Sequence, residues 1–192
     1  RTSSTRNTLS NSDQPGHGDF ITPSSSPDDW RNPQNDNLWQ GVGGINNPCP
    51  VGYRLPTEAE WQAERTSWSS DNRAGAYGSP LKLPVAGGRY RVDGSLSVVG
   101  SIGYFWSSSV DGMHARNLYF SSIDANFGSS SRANGYSVRC RKVGALVTLV
   151  IDMEGNGSVD PAGGTFELGS EVELTAIPDE GWVFSEWTGD VP

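Results

Sequence analysis

The 192-residue sequence has few of the residues from which reactive sites are built. It contains two histidines, His17 and His114, and two cysteines, Cys49 and Cys140. The histidines lie in unrelated sequence contexts, and neither cysteine has a histidine at metal-ligand spacing. The sequence therefore offers few residues that could form a Ser–His pair or hold a metal-bound water. We expect no enzymatic activity.

The chain also lacks an excess of positive charge and any long apolar run. Its 14 Lys and Arg against 22 Asp and Glu give a formal charge of −8, which argues against a nucleic-acid partner, because phosphates require a basic surface. No apolar run approaches the roughly 20 residues that span a bilayer, so we expect no membrane insertion. No secretory signal is visible at Arg1, an absence that says little about the compartment.

The abundant residues indicate short strands and many turns. The chain has 24 Gly and 12 Pro, and 34% of its residues are hydrophobic. Seven tryptophans supply large buried areas to a core that is short of aliphatic side chains. The length fits one large domain or two small ones.

The even pair Cys49 and Cys140 favours a disulfide of an oxidising compartment. Such a bond would close a loop of roughly 90 residues and stabilise the fold by about 4 kcal/mol in the chain-entropy model. Two reduced, buried cysteines acting as small hydrophobes are the alternative, and two free catalytic thiols are a further one.

The stretch over 104–142 predicts a regular β-frame that carries a polar insert. Alternation places Leu118 and Phe120 on one face and Asn117, Tyr119 and Ser121 on the other. Near its end, Tyr136, Val138 and Cys140 share one face, and Ser137, Arg139 and Arg141 share the opposite one. Ser, Asn, Asp, Gly, His and Arg fill the space between, and they have little tendency to be buried. This arrangement is typical of a binding surface.

The N-terminal part is polar and rich in turn-forming residues. We expect a loosely held arm over residues 1–18 and irregular loops pinned by aromatic side chains over residues 19–47. One run of oxygen-bearing side chains could bind calcium, although Asn and Asp are also ordinary turn residues and no other cofactor is indicated. The run comprises Asp28, Asp29, Asn32, Asn35, Asp36 and Asn37.

The motif PTEAEW predicts a helix with a capping box between Thr57 and Glu60. The helix should run over residues 58–68 and bury Trp61 and Trp68. Glu58 and Glu60 could also form an acid/base pair, but caps and a solvated face are the favoured interpretation. A loop over 69–80, a strand over 81–86 and a hairpin over 89–98 that turns at Asp93-Gly94 should follow.

Five motifs in one order resemble the Fibrobacter major paralogous domain: NPCPVGYRLPTEAEW, LKLPVAGGRY, GYFWSSS, LYF and GYSVRCRK. That family is similar to the C-type-lectin-like fold of formylglycine-generating enzymes and of the variable proteins of diversity-generating retroelements. The resemblance covers residues 19–143. It implies one main helix, a small twisted antiparallel sheet with long loops on one side, and a Cys49–Cys140 bridge.

The resemblance favours binding over catalysis. Formylglycine-generating enzymes work with two cysteines before their final strand, whereas the corresponding segment 107–134 contains none. In the retroelement variable proteins the same segment carries the ligand-binding positions. The outward positions that correspond here are Ser108, Ser109, Asp111, Met113, His114, Arg116, Asn117, Tyr119, Ser121, Asp124, Asn126 and Arg132. They could equally be solvated loop residues of a structural domain. The Glu-Pro-Asn, Gln-Pro-Asp and Trp-Asn-Asp motifs of calcium-dependent lectins do not occur.

A second composition begins after Lys142. GSVDPAGGTFELGSEVELTAIPDEGWVFSEWTGD is similar to the divergent internalin-B-type repeat, a small β-rich module of bacterial surface proteins that acts as a spacer or stalk. Strands are expected over 147–153 and 171–176, and a closing segment over 181–189. Members of that family usually continue into one more strand, so we expect the repeat to be incomplete.

These patterns predict an α+β protein: a C-type-lectin-like domain over 19–143, followed by a small all-β, β-grasp-like repeat over 147–192. Its expected function is that of a non-catalytic extracellular or cell-surface binding and adhesion module of a bacterium, with a protein or glycan ligand. The alternative is a structural subunit of an extracellular filament or surface layer that assembles with copies of itself through the head and the repeat.

Overall fold

The computed structural model describes residues 4–26 and 28–189. The chain divides into two compact units, residues 1–142 and 143–192, so the boundary lies after Lys142, where the second composition begins. Small, mostly antiparallel sheets with few helices make an α+β structure. None of the helices in the described ranges has the length and hydrophobicity that crossing a bilayer requires.

A three-stranded antiparallel sheet, whose strands follow one another in chain order, is the largest element of the N-terminal unit, and its other strands form two-residue pairs. The helices are α1 (Glu58–Thr66) and α2 (Arg73–Gly78). The strands are β1 (Thr5–Arg6), β2 (Phe20–Ile21), β3 (Tyr53–Arg54), β4 (Gly88–Arg89), β5 (Leu96–Ser97), β6 (Gly103–Asp111), β7 (His114–Phe120), β8 (Ala125–Ser131) and β9 (Arg141–Lys142).

Helix α1 begins at the predicted capping box. Glu60 N–H donates to Thr57 Oγ1 at 3.2 Å, and Thr57 N–H donates to Glu60 Oε2 at 2.9 Å. Arg54 adds two hydrogen bonds of 2.7 Å to the Glu60 carboxylate. The helix ends at Thr66, two residues before the predicted Trp68.

The core lies between α1 and the three-stranded sheet. Trp61 is 1% exposed and Phe120 is fully buried, and the ring of Phe105 lies 5.9 Å from each of them. Trp68 packs edge-on against Phe120 at 5.7 Å. Both tryptophans that were expected on the buried side of the helix therefore contact the core, and these rings provide much of its area.

Helix α2 occupies part of the segment that was predicted as a loop. Asn72 caps it, because its side-chain oxygen accepts hydrogen bonds from the N–H groups of Ala74 and Gly75. A Cβ at Gly75 would lie 1.8 Å from the carbonyl oxygen of Ser70. Gly, Ser and Asn suggested a turn, but here they provide a cap and a close backbone approach.

The strand predicted over residues 81–86 is not formed. Pro80 and Pro84 lack the N–H groups that a sheet ladder needs, and Lys82 adopts a φ of 52°. Leu83 is nevertheless 1% exposed, and its N–H donates to the Ala76 carbonyl oxygen at 3.2 Å. The segment is an irregular core-lining stretch.

The hairpin predicted over residues 89–98 is present with a different turn. Strand β4 pairs with β5, with Gly88 opposite Ser97. Gly94 has a φ of 72° and its N–H donates to the Tyr90 carbonyl oxygen, while Asp93 accepts hydrogen bonds from Ser95. The connection is thus longer than the two-residue type I′ turn, which requires positive φ at both central residues.

A disulfide joins Cys49 and Cys140, whose Cα atoms are 5.7 Å apart. Strands β3 and β9 pair beside it, with Tyr53 opposite Lys142. The segment before α1 is thereby fastened to the end of the unit across a sequence separation of 91 residues.

Residues 4–18 are more firmly held than the loosely held arm that was expected, and residues 1–3 of that arm lie outside the described residues. Strand β1 pairs in parallel with β2, and Thr22 donates a side-chain hydrogen bond of 2.7 Å to Asn7. Arg31 adds an ion pair to Asp13 at 2.7 Å. These contacts could not be predicted from the polar composition, because strand pairing through backbone hydrogen bonds requires no apolar side chain.

The C-terminal unit contains two antiparallel pairs. Strand β10 (Leu146–Leu149) pairs with β12 (Gly164–Glu167), and β11 (Gly157–Asp160) pairs with β13 (Thr175–Pro178). The strands predicted over 147–153 and 171–176 are each only partly formed, and residues 182–188 are irregular. Every described residue of this unit is half-buried or exposed, so its core is small.

Candidate ligand-binding site

The three-stranded sheet has two faces, and the residues predicted to bind a ligand are divided between them. Leu118 of β7 lies opposite Phe105 of β6 and Phe127 of β8, on the face that packs against α1. The odd-numbered residues of β7 point to the other face, because side chains alternate along a strand. A bulge between Trp106 and Val110 shifts the register of β6.

Arg116 and Asp111 lie together on the α1 side of the sheet. The Arg116 guanidinium donates to both carboxylate oxygens of Glu58 at 2.6 Å and to Ser129 Oγ at 2.8 Å. Ser129 in turn donates to Asp111. The hydrogen bonds to Glu58 raise the pKa of Arg116. This cluster fastens α1 to the sheet, so Arg116 is engaged within the protein.

Ser108 and Asn117 do not face outward as expected. Ser108 is 3% exposed, and its backbone N–H donates to the Pro56 carbonyl oxygen at 2.8 Å. Asn117 is 1% exposed, and its amide donates at 3.0 Å to Gly128 and to Ser130. The resemblance placed both residues outward, but both are buried, and hydrogen bonds within the protein replace the lost contact with water.

Arg132 is also buried, contrary to the expectation of an outward position. Its side chain is 1% exposed, and Nη2 contacts Asp36 Oδ1 at 2.6 Å while Nη1 lies 3.8 Å from Asp29 Oδ2. Nη2 also donates to the Gly112 carbonyl oxygen at 2.8 Å. The guanidinium lies over the ring of Trp39, 5.7 Å from its centroid. Two carboxylates thus compensate a charge that burial would otherwise disfavour.

Three further members of the predicted set have local structural contacts. Ser121 Oγ donates to Asp124 at 2.8 Å, and the two residues close the turn between β7 and β8. Ser109 Oγ accepts a hydrogen bond of 3.0 Å from the N–H of Glu58 at the start of α1. All three side chains are half-buried.

The remaining members do not form one surface. Met113 is 51% exposed at the turn between β6 and β7, and the neighbouring His114 is half-buried. Tyr119 lies opposite Asn126 in the β7–β8 register, on the face away from α1. Of the predicted set, the structure therefore brings together Tyr119 with Asn126, Arg116 with Asp111, and Ser121 with Asp124, in three separate places. Contact of any of them with a ligand remains a prediction.

Four half-buried aromatic rings lie side by side on the face away from α1, and we call them the aromatic strip: Trp106, Tyr136, Tyr104 and Tyr119. Tyr136 is 4.5 Å from Trp106 and 4.5 Å from Tyr104, stacked on the latter at 12°. Tyr104 lies 6.3 Å from Tyr119. The strip was not among the features predicted from the sequence, although Tyr104 and Trp106 are two residues apart in one strand and so share a face.

The hydroxyl groups of Tyr104 and Tyr136 stay protonated near neutral pH. Burial raises the pKa of Tyr104, and it raises the pKa of Tyr136 despite hydrogen bonds between its hydroxyl and Ser130 and Asn134. The Tyr136 hydroxyl lies 3.2 Å from Ser130 Oγ. Neutral phenols donate and accept hydrogen bonds, which suits binding of hydroxyl or amide groups.

A cavity of about 210 Å³ lies at the Trp106 end of the strip, and we call it the tryptophan pocket. Its lining combines three indole rings with one guanidinium and one side-chain amide: Trp30, Trp39, Trp106, Arg132 and Asn46, completed by Pro48, Leu55, Ser107, Ala115 and Val138. The indoles of Trp30 and Trp39 come from the irregular loops before α1. The aromatic side chains of residues 19–47 were expected only to pin these loops.

Carboxylates of the oxygen-rich run over residues 28–37 form ion pairs with arginines. Asp28 pairs with Arg91 at 2.7 Å, and Asp36 pairs with Arg132 at 2.6 Å. Asp29 accepts a hydrogen bond of 2.9 Å from Gln34. Within the described ranges, no group of three or more His, Cys, Asp or Glu side chains is placed to hold a metal ion.

Comparison with known proteins identifies only the C-terminal unit. Residues 147–191 match the family model of the divergent InlB B-repeat domain, and repeats of this family are extracellular repeats of bacterial surface proteins. No curated protein and no solved structure gives a significant match to the chain.

Proposed function

We propose that this chain belongs to a surface-displayed or secreted bacterial protein and that its N-terminal unit is a non-catalytic binding and adhesion module for a glycan or protein ligand. The observation that carries the proposal is the aromatic strip. Part-exposed rings beside amide and hydroxyl groups suit stacking on sugar rings and anchoring of a protein surface. On this view Tyr119 and Asn126 belong to the binding face that was predicted from the sequence.

We further propose that the N-terminal unit is a C-type-lectin-like domain of the Fibrobacter major paralogous type. Five sequence motifs in order support this assignment. Further support comes from one nine-residue helix packed against an antiparallel sheet and from the Cys49–Cys140 bond at the positions that the resemblance implies.

An extracellular location is supported by two independent features. The repeat over 147–191 belongs to a family of bacterial surface repeats. The disulfide between Cys49 and Cys140 is of the kind that forms and persists in oxidising compartments.

The proposal of a non-catalytic role rests on how the titratable groups are engaged. Both cysteines are in the disulfide, so they provide no thiolate. Glu58 and Glu60, the one pair considered for acid/base work, are held by Arg116 and Arg54 in ion pairs of 2.6 and 2.7 Å. These carboxylates fasten α1 to its surroundings.

Arrays of glycans and of bacterial and host proteins, probed with the full chain, test the binding function. The variants Tyr119→Ser and Asn126→Ala alter the face without removing a fully buried group, and we expect them to weaken the array signal. Tyr77→Ser is the matched control, since Tyr77 is 63% exposed on α2, away from the strip. A chain that binds nothing on either array, or equal signals from all variants, contradicts the proposal.

A second candidate is a structural subunit that assembles with copies of itself. It is favoured by three exposed aromatic side chains of the C-terminal unit, Trp182, Phe184 and Trp187, which are 51%, 46% and 39% exposed. Phe184 and Trp187 lie 5.0 Å apart, so they form a local apolar patch. Exposed apolar patches commonly mark association surfaces.

Light scattering over a range of concentrations distinguishes the two candidates. Assembly through this patch predicts a mass that rises with concentration and falls to the monomer in Trp187→Ser. Val51→Ser, at a fully exposed position of the other unit, is the control. A monomer at all concentrations removes the second candidate.

A further inference from the structure

The sequence contains two Asn-Gly pairs, Asn134-Gly135 in the N-terminal unit and Asn156-Gly157 in the C-terminal unit. Asparagine is a thermolabile residue, because the backbone nitrogen of the next residue can attack its side-chain carbonyl carbon. Glycine has no Cβ to obstruct that nitrogen. The local sequence therefore makes both pairs reactive, and the fold decides which of them reacts.

The fold engages both reacting groups of Asn134-Gly135. The Gly135 N–H donates to the Arg89 carbonyl oxygen at 2.9 Å. The Asn134 Oδ1 accepts a hydrogen bond of 3.2 Å from the Arg91 N–H, and its Nδ2 donates to the Tyr136 hydroxyl at 3.5 Å. Attack of the nitrogen on the amide would have to break these contacts, so this pair is protected.

Strand pairing directs the nucleophile of the second pair away from its neighbour. Gly157 begins β11 and stands opposite Pro178, which has no N–H and so cannot exchange two backbone hydrogen bonds with it. The Asp179 N–H donates to the Asn156 carbonyl oxygen at 3.3 Å, as is typical of the residues that flank a non-hydrogen-bonded pair. The Gly157 N–H therefore points away from β13.

Neither reacting group of Asn156-Gly157 is engaged within the part of the chain that the structure describes. The Gly157 N–H has no acceptor there, and the side-chain amide of Asn156 has no hydrogen-bond partner there. The Asn156 side chain is exposed, so water and hydroxide reach it. This pair differs from Asn134-Gly135 in every contact that would hinder the reaction.

We propose that Asn156, and not Asn134, is a site of spontaneous deamidation. The Gly157 nitrogen loses its proton to hydroxide and forms a bond to Asn156 Cγ, and the bond from Cγ to Nδ2 breaks as ammonia leaves. Water opens the resulting cyclic succinimide at either carbonyl carbon and gives aspartate or isoaspartate. Water is the only co-reactant, and nothing is oxidised or reduced. The reaction is independent of what the N-terminal unit binds.

The product changes the start of β11. Each conversion adds one negative charge to a chain whose formal charge is −8. Isoaspartate also inserts a methylene group into the backbone, which displaces the carbonyl oxygen that accepts from Asp179. The indole signal of Trp182 should shift as a result, because its N–H donates to the Asp179 carbonyl oxygen and its ring lies 3.0 Å from the position of a Cβ at Gly155.

Peptide mass after trypsin digestion measures the conversion of Asn156. Cleavage after Lys142 releases the peptide 143–192, in which Asn156 is the only amide side chain. The full chain is kept in mildly alkaline buffer at physiological temperature and sampled over days. We expect this peptide to gain the mass difference between an amide and a carboxyl group and to separate into aspartate and isoaspartate forms.

The same digest measures Asn134 separately. Cleavage after Arg132 and Arg139 releases the peptide 133–139, in which Asn134 is the only amide side chain. It should convert at least about tenfold more slowly than 143–192, the factor expected when one hydrogen bond must break before the attack.

Three controls separate the effect of the fold from that of the sequence. The chain reduced and unfolded in guanidinium chloride should convert both peptides at similar rates. Asn156→Gln, whose longer side chain would have to close a larger ring, should leave 143–192 unconverted. Ser158→Ala, at an exposed position, should keep the rate of the unaltered chain.

The proposal is overturned if the folded chain leaves the peptide 143–192 unconverted. Equal rates for the two peptides in the folded chain also overturn it, because the fold would then not select Asn156.

Discussion

Arg116 of β7 and Glu58 of α1 form a bidentate ion pair in which both N–O distances are 2.6 Å. The pair joins the sheet to the first turn of the helix, where a carboxylate also interacts favourably with the helix dipole. Arg116 was a candidate ligand-binding residue, and Glu58 was a candidate acid. Each side chain instead binds the other. The polar end of the sheet on the α1 side therefore serves to hold the helix and the sheet together.

Replacing Arg116 by Met should lower the free energy of unfolding by about 1–2 kcal/mol, because Glu58 and Ser129 lose their charged donor while the aliphatic stem is kept. Urea denaturation followed by tryptophan fluorescence measures the change. Arg139→Met, at an exposed position, is the matched control and should stay within about 0.5 kcal/mol of the unaltered chain. Equal midpoints for both variants contradict the structural role of the pair.

Substitution by alanine at the two glycines of α2, Gly75 and Gly78, should change the stability of the fold to different extents. A Cβ at Gly75 would lie 1.8 Å from Ser70 O, whereas nothing lies within 4 Å of a Cβ at Gly78. Gly75→Ala should therefore cost about 2 kcal/mol or more through steric strain. Gly78→Ala should be neutral or slightly stabilising, because alanine favours helix. Thermal unfolding of the two variants measures the difference, and similar melting temperatures would rule out the close approach at Gly75.

The carboxyl of Glu60 should make stability depend on pH in the acid range. Burial raises its pKa, but hydrogen bonds from Arg54 and Thr57 and the charges of Arg54 and Arg141 outweigh burial and hold the pKa below 4.5. Because the pKa is lower in the folded state, the ionised carboxylate stabilises the fold above its unfolded pKa. That stabilisation is lost as the pH falls through the folded value.

Glu60→Gln should thus lower stability at pH 7 and flatten the decline below about pH 4.5. Urea midpoints across this pH range measure the profile. The exposed change Gln62→Ala on the same helix should keep the original profile. A decline of unchanged steepness in Glu60→Gln would assign the acid sensitivity to other groups.

The disulfide should provide a large part of the stability of the N-terminal unit. It closes a loop with a sequence separation of 91 residues, so Cys49→Ser combined with Cys140→Ser should cost about 4 kcal/mol. Urea denaturation of the double variant, compared with the unaltered chain before and after reduction, gives the value. Reduction should bring the unaltered chain to the midpoint of the variant, and no effect of reduction would mean that the bond is not formed in solution.

Local sequence signals predicted the parts of the fold that depend on short-range chemistry. Thr57 and Glu60 stand at capping-box spacing, and their mutual hydrogen bonds require only four consecutive residues. The alternation of Leu118 and Phe120 likewise predicted the buried face of β7. The Asp93-Gly94 signal located the hairpin but not its turn, because Asp93 binds Ser95 locally.

Long-range packing explains what the sequence did not reveal. Alternation distinguishes two faces of a strand, but it carries no information on loops that cover the outer face. The resemblance placed Asn117 and Arg132 outward, whereas both are buried. The tryptophan pocket brings Trp39 and Arg132 together across 93 positions of sequence, a contact that only the folded chain forms.

Titration calorimetry with the ligand that gives the strongest array signal shows whether the aromatic strip is the binding site. If the aromatic strip is the binding site, the unaltered chain and Tyr77→Ser bind with equal affinity, while Tyr119→Ser and Asn126→Ala bind at least about tenfold more weakly, a loss of about 1.4 kcal/mol or more. Equal affinities for all four proteins would contradict the assignment of binding to the aromatic strip.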